Sequence, residues 1–339
     1  MKNHIFIAFP AFNEEDIHLT ITTALGKAKY PKNIHFGIFL HYPKNNFPDL
    51  SIYPNVKEIR SINPIGLGTG LSRKIATSLY EDEEYYLQID AHTIFKNNWD
   101  QILIKNYKEL KKLFYRPIIT GLVPTWSKDE KGNILNHFGR QEELDIPVFS
   151  MDFQRDYESI AKNIGLPTPT LVKTDYTKFY HEHYLIAANF LFTDAKYLEN
   201  MPFDSKVKYH EENITAMRAW TKGYRFFSIK EDTMWTRQMF NKIMPQDSWR
   251  DMINVQDKNG ITFNDLAVEG LLRNKDILTG KVIGKWGAPS QQDLREYEKV
   301  AQIDYTFIYN YMEEFAKTHE TEYTRAKALY DLERKSNDW

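Results

Sequence analysis

The chain has no cysteine among its 339 residues. Disulfides, zinc–thiolate sites and cysteine nucleophiles are therefore excluded, and a reducing compartment is the natural setting. Long hydrophobic runs are missing too, so nothing in the sequence is suited to crossing a bilayer. The opening segment, MKNHIFIAFPAFNEED, carries an apolar stretch too short for a secretory signal and passes directly into a polar loop. Together these absences predict a cytoplasmic protein that works without a membrane. An excess of one charge is also lacking: 44 Lys and Arg stand against 46 Asp and Glu, for a net charge of −2. No broad basic surface for duplex nucleic acid is implied, although a neutral total can contain a local patch.

What is abundant is aromatic side chain, at 14% with 21 Tyr and 21 Phe. Many of these must be core, but a ring face with a polar tip also suits sugars and bases. The first two-thirds of the chain alternates strand-like and helix-like segments. Ile5 to Phe9 reads as a strand broken by Pro10, and Asn13 to Glu15 open a helix with Ile17, Ile21, Leu25 and Ala28 on one face. HFGIFL (35–40) and Val56 to Ile59 follow as strands. Strand, helix and strand at this spacing predict a mainly parallel α/β sheet. Thr125 to Pro169 is long, polar and punctuated by Pro and Gly; segments of this kind often serve as lids or acceptor loops. After about Asn241 the chain becomes mainly helical. We therefore expect a catalytic domain over residues 1–240, an irregular acceptor or lid region at 127–180 within it, and a helical extension at 241–339 packed on it.

The segment most informative about chemistry is YYLQIDAHTIFKNNWD, residues 85–100. Five apolar or β-prone residues stop at Asp90, and Ala91, His92 and the expected start of a helix follow. In open α/β sheets ligands bind outside the carboxyl ends of strands. An acid and an imidazole two residues apart at such an end are suited to a divalent cation, although Asp90 alone reads equally as a helix cap and His92 as a surface histidine. Upstream, Gly66, Gly68 and Gly70 do not complete a dinucleotide fingerprint, since Leu71 occupies the place of its third glycine, and the Lys-Ser/Thr ending of a P-loop is absent. The remaining readings are a loop that lets the backbone approach a ligand, or a plain turn. Arg73 then offers a fork of donors to a diphosphate, or is a surface arginine. HEH at 181–183 lacks the spacing of a zinc protease. Asn189, after two alanines in an apparent strand (Leu185 to Phe192), can bond a substrate hydroxyl or neighbouring backbone. Glu211 and Glu212 precede the helix expected from Asn213, and acids at a helix N-terminus are favoured whatever their role; one of them can equally hold a sugar or act as general base.

Taken together, IFIAFPAFNEED, GLGTGLSRKIATSLYEDEEYYLQIDAHTIFKNNWD, HYLIAANFLFTDAKYL, YHEENITAMRAWTKGYRFF and GAPSQQDLREYEKVAQIDY resemble, in order and spacing, the GT-A-fold glycosyltransferases related to the cytoplasmic hydroxyproline GlcNAc-transferase. The resemblance implies a Rossmann-like central sheet flanked by helices, with a helical C-terminal extension. It also implies a nucleoside-diphosphate sugar donor, UDP-linked by preference, and Mn²⁺ or Mg²⁺. On it, Asp90 and His92 are the metal ligands. Phe9, Pro10, Ala11, Asn13, Gly68, Arg73 and Asp90 border the donor, and Glu211, Glu212 and Asn189 are the catalytic set. The family places a histidine after its last core strand that completes the metal site. Here that region reads EDTMWTRQMF, with Asp232, Trp235 or Arg237 nearby. The segment from Ser127 to Tyr180 departs most, so the acceptor is expected to differ.

The activity implied is transfer of a sugar to an acceptor hydroxyl with retention of anomeric configuration. A protein hydroxyl, a glycan and a hydroxymethylated DNA base all stand as acceptors. The last fits the Lys, Asn, Ile, Phe and Tyr usage of an AT-rich genome, which for a viral gene would place the protein in host cytoplasm. A weakly catalytic sugar-nucleotide binder and a metal-dependent phosphohydrolase are the alternatives.

Overall fold

The structure, a computed structural model, describes residues 3–121, 123–129, 131–137, 179–208, 211–237, 255–257 and 259–316. Most of the expected acceptor region (138–178), His210 and the end of the helical extension (317–339) lie outside the described residues. In chain order the elements are β1 (Ile5–Phe12), α1 (Ile17–Lys27), β2 (Ile34–Tyr42), β3 (Val56–Ile62), α2 (Thr69–Thr77), β4 (Tyr85–Ile89), β5 (Thr93–Phe95), α3 (Trp99–Leu113), β6 (Arg116–Thr120), β7 (Thr125–Lys128) and β8 (Ile134–His137). There follow β9 (Tyr180–His183), β10 (Phe190–Asp194), α4 (Lys196–Asn200), α5 (Glu211–Thr221), β11 (Tyr224–Ile229), β12 (Met234–Arg237), α6 (Phe263–Leu278), α7 (Gln291–Ala301) and α8 (Tyr305–Ala316).

Eight strands form the central sheet in the order β3-β2-β1-β4-β10-β6-β11-β9. β1, β2, β3 and β4 are mutually parallel, as are β6 and β11, while β10 runs antiparallel to both β4 and β6. The inner strands read as continuous apolar runs because both faces of the sheet are covered. On one face α1 and α3 bring Ile17, Ile21, Ala24, Trp99, Leu103, Tyr107 and Leu110 onto Ile5, Ile7, Phe9 and Leu87. On the other, Phe6, Ala8 and Tyr86 meet Ala216 and Met217 of α5 and Leu271, Leu294, Tyr297 and Tyr305 of the C-terminal helices. Those helices thus share a core with the sheet.

The seat of α3 shows how polar groups reinforce this packing. The Trp99 indole is fully buried and donates to the Ala24 carbonyl at 2.9 Å. The buried Asp100 carboxylate accepts from the Lys29 and Tyr30 amides at 2.7 and 2.9 Å, satisfying both of its oxygens. Truncating Trp99 to alanine is worth about 3–5 kcal/mol.

Three local expectations are corrected. β1 does not stop at Pro10 but runs to Phe12, because β1 pairs only with β2 beyond Ala8↔Gln88 and a proline is tolerated where a strand is paired on one side. No helix starts directly after His92. Instead β5 begins a second sheet of order β5-β12-β7-β8, and the helix waits until Trp99. Nor is 185–192 one strand. β10 begins at Phe190, whose amide bonds Ala187 O at 3.2 Å to close a turn. Buried apolar composition alone does not separate a strand from a buried turn.

Candidate active site

The reversed strand β10 decides where the site lies. Because Phe190 pairs with Ile89 and Leu191 with Thr120, the start of β10 shares a rim with the ends of β4 and β6. Asp90, one residue beyond β4, therefore sits beside Ala188 and Asn189, one residue before β10. The end of β1 joins the same rim: the Asn13 amide donates to His41 O at 3.0 Å, with Asn13 at φ 47°.

Around Asp90 the charges alternate. Arg73, on α2 and only 5% exposed, donates from Nε to Glu211 Oε1 at 3.0 Å and from Nη2 to Ala188 O at 3.1 Å. Its Nη2 also lies 3.6 Å from Asp90 Oδ1. Glu211 Oε2 accepts from the Thr69 hydroxyl at 2.7 Å. Ala188 O takes a second donor, Gln88 Nε2 at 2.7 Å, and Gln88 Oε1 in turn accepts from Tyr86 OH at 3.1 Å. The turn that carries Asn189 is thus pinned by a carbonyl with two donors. Next to the tied Glu211, burial and the Glu211 charge hold Glu212 well above the ordinary carboxylate range.

His92 sits on the other side of Asp90. Its Nδ1 is 2.9 Å from Glu14 Oε2 and its Nε2 is 3.8 Å from Asp90 Oδ2. Burial works against a charged ring here, but the hydrogen bond and charge of Glu14, with Asp90 and Asp16 behind them, outweigh it and push His92 up to about 9. The His92 carbonyl accepts from Trp126 Nε1 at 3.0 Å and from the Arg237 amide at 3.1 Å. Glu15 and the buried Asp16 engage Lys128 and Arg237, with Asp16 within 2.6 Å of both, and so tie the end of β1 to the small sheet.

Among the described residues no group of three or more His, Asp or Glu side chains forms a cage for a cation. Asp232 faces Lys96 at 3.6 Å, and Arg237 faces Glu15 and Asp16, so neither fills the place of a third ligand beside Asp90. The two groups that face each other still fit a hard divalent ion. Such ions are commonly held by one or two carboxylates with substrate phosphates completing the shell, and Asp90 is 33% exposed on an open rim. A ligating histidine usually bonds a carboxylate through its other nitrogen, as His92 does with Glu14.

Three of the residues expected to border the donor make contacts within the chain. Phe9 and Ala11 are 0% and 1% exposed in the core, so their side chains do not border the rim. The close approach made by Gly68 is to the chain itself: Gly68 has φ 83°, and a Cβ there would lie 2.7 Å from Lys208 Cα. A Cβ on Gly70 would lie 2.1 Å from Asp204 O, and the Thr69 and Gly70 amides donate to Lys208 O and Val207 O at 2.6 and 2.9 Å. Arg73 is not a surface arginine; it is a buried cation beneath Asp90. Reading the sequence alone misses Glu14, Thr69 and Gln88. Only Glu14 leaves a local signal, as the first of three consecutive acids after the first strand.

Residues 50–307, well over half of the chain, match the sequence profile of the family described as Glycosyltransferase (GlcNAc). No curated protein matches the chain by sequence. Among solved structures, GalNAc-T7 with UDP, GalNAc and Mn²⁺ superimposes at a TM-score of 0.52 and 10% identity, over 93% of this chain and 58% of that one. S. aureus TarS 1–349 gives a TM-score of 0.42 at 13% identity, over 98% of this chain and 92% of that one; its complex with UDP-GlcNAc gives 0.42 at 12%. At such identities the likeness is one of fold, and the central sheet flanked by helices is that of GT-A glycosyltransferases. Among the described residues no helix is long and apolar enough to cross a membrane. The match over residues 50–307 places the chain in the glycosyltransferase (GlcNAc) family, and it is a glycosyltransferase.

Proposed function

We propose that this enzyme moves a sugar, GlcNAc first among those to test, from a UDP-sugar to an acceptor hydroxyl with retention, using Mn²⁺ or Mg²⁺ held by Asp90 and His92. The observation that carries this reading is the pair Asp90–His92, 3.8 Å apart on the open rim beyond β4, in a chain of this family. GalNAc-T7, which shares the fold, was crystallised with UDP and Mn²⁺. A bound divalent ion supplies Lewis-acid stabilisation of the diphosphate as it leaves.

The protein's own residues do the rest. Arg73 holds Asp90 in place and keeps positive charge beneath the site. Glu211 is fixed between Arg73 and Thr69, which leaves Glu212 as the adaptable acid. Held protonated near neutral pH, Glu212 donates a hydrogen bond to a sugar or acceptor oxygen. Asn189, on its pinned turn, orients a hydroxyl. The bond from the anomeric carbon to the UDP oxygen breaks, a bond to the acceptor oxygen forms on the same face, and the acceptor proton passes to the departing diphosphate oxygen.

The test is a panel of nucleotide sugars, each with Mn²⁺, with Mg²⁺ and with EDTA, reading release of free nucleotide. A UDP-sugar should turn over slowly in water, only with metal. Asp90→Asn should lose at least 100-fold while Tm moves by no more than about 2 °C. Turnover undiminished by EDTA would remove the metal from the mechanism. An inverted product, seen by NMR of the anomeric proton, would remove retention.

A further inference from the structure

Three consecutive acids follow the first strand, and they diverge. Glu15 and Asp16 turn to Lys128 and Arg237. Glu14 alone turns to the rim, with Oε2 2.9 Å from His92 Nδ1. Its backbone is fixed on both sides, since the Asn13 amide bonds His41 O at 3.0 Å and the Glu14 carbonyl accepts from Tyr42 OH at 2.8 Å. His92 is equally fixed through its carbonyl, which takes donors from Trp126 and Arg237. Both side chains are mostly covered, at 16% and 12% exposure. Glu14 therefore meets one nitrogen of the ring from a fixed backbone, and the other nitrogen faces Asp90 at 3.8 Å.

An imidazole ligates through one nitrogen, and a carboxylate on the other fixes which nitrogen that is, aims the ring and raises its basicity. We infer that Glu14 is the positioning residue for the cation site: by accepting the Nδ1 proton of His92, it presents Nε2 toward Asp90 for the metal. Glu14 acts through His92 and touches neither donor nor metal. This inference rests on the metal reading proposed above.

The experiment measures Mn²⁺ affinity by titration calorimetry with saturating UDP, and UDP affinity without metal, for the wild type, Glu14→Ala, Glu14→Gln and Glu15→Gln. Glu14→Ala should weaken Mn²⁺ about 10–100-fold, the usual cost of losing such a partner. Glu14→Gln, whose amide oxygen still accepts the Nδ1 proton, should stay within a few-fold of wild type. Glu15→Gln, which removes a neighbouring charge engaged elsewhere, should change nothing. Metal-free UDP affinity should be equal in all four. In a His92→Ala background, Glu14→Ala should cost no further Mn²⁺ affinity. The inference is overturned if Glu14→Ala binds Mn²⁺ like the wild type, if the Gln variant is as weak as the Ala variant, or if metal-free UDP binding falls with Glu14. If the wild type itself binds no Mn²⁺ with UDP, the metal reading fails instead, which is a different result.

Discussion

Arg73 is the residue whose loss should be felt most widely, because it is buried with a buried acid. Replacing it by Met keeps much of its length and apolar stem but leaves Glu211, 8% exposed, with Thr69 as its remaining side-chain donor. Removing one partner of a buried ion pair costs about 3–5 kcal/mol, mostly because the surviving charge is stranded. The Ala188 carbonyl keeps Gln88 as a donor, so the turn before β10 should loosen without collapsing. For a chain of this size each kcal/mol shifts Tm by roughly 2 °C, so Arg73→Met should melt about 6–10 °C lower. The decisive comparison is the double variant Arg73→Met/Glu211→Gln. With the stranded charge gone, it should recover at least half of the loss, giving a coupling of at least about 2 kcal/mol in urea unfolding once the cost of Glu211→Gln alone is included. If the single variant costs less than 1 kcal/mol, or the double variant is simply additive, Arg73 and Glu211 do not form the buried pair described above.

Gly70→Ala should be disproportionately harmful, because its Cβ would lie 2.1 Å from Asp204 O and 2.4 Å from Val207 O, both backbone atoms that cannot rotate away; the loop from 204 to 208 should become more protease-sensitive while Gly26→Ala, with open space at its Cβ, does not. Glu212 gives a pH prediction with a definite sign. Its folded-state pKa is raised from 4.5 to about 8, so the folded protein holds a proton that the unfolded chain has released, and the stability this supplies is lost as pH climbs through that window. Tm of the wild type should therefore fall more between pH 6 and 9 than Tm of Glu212→Gln; equal slopes would show that Glu212 is an ordinary acid.

The parts of this protein legible in its sequence are those where local pattern and burial agree. YYLQI is apolar but for Gln88 because β4 is covered on both faces, and it stops where the chain meets solvent, so the sequence pattern alone places Asp90 at a strand end. Glu211 and Glu212 stand just before the helix that the pattern starts at Asn213, and the helix takes them in as its first two residues, a position acids favour. The illegible parts depend on distant partners. Glu14 and His92 are separated by 78 positions, and Arg73 and Glu211 by 138, so nothing local marks either pair. The glycines are legible only in part: a missing Cβ signals close approach but not what approaches, and here residues 204–208 fit against Gly68 and Gly70. The direction of β10 was equally hidden, since strand composition carries no sign of orientation.

The stitch between the glycine loop and Lys208 has a consequence for how the protein is made. Thr69 bonds Lys208 across 139 positions, and the loop entropy this closes is recovered only once both ends exist. During synthesis Gly68 and Gly70 leave the ribosome long before the segment they fit against. The parallel strands β1 to β4 can pair early, but α2, and with it Arg73, cannot settle until residues 204–211 arrive. Activity in a nascent chain should therefore appear as a step late in translation, not as a gradual rise.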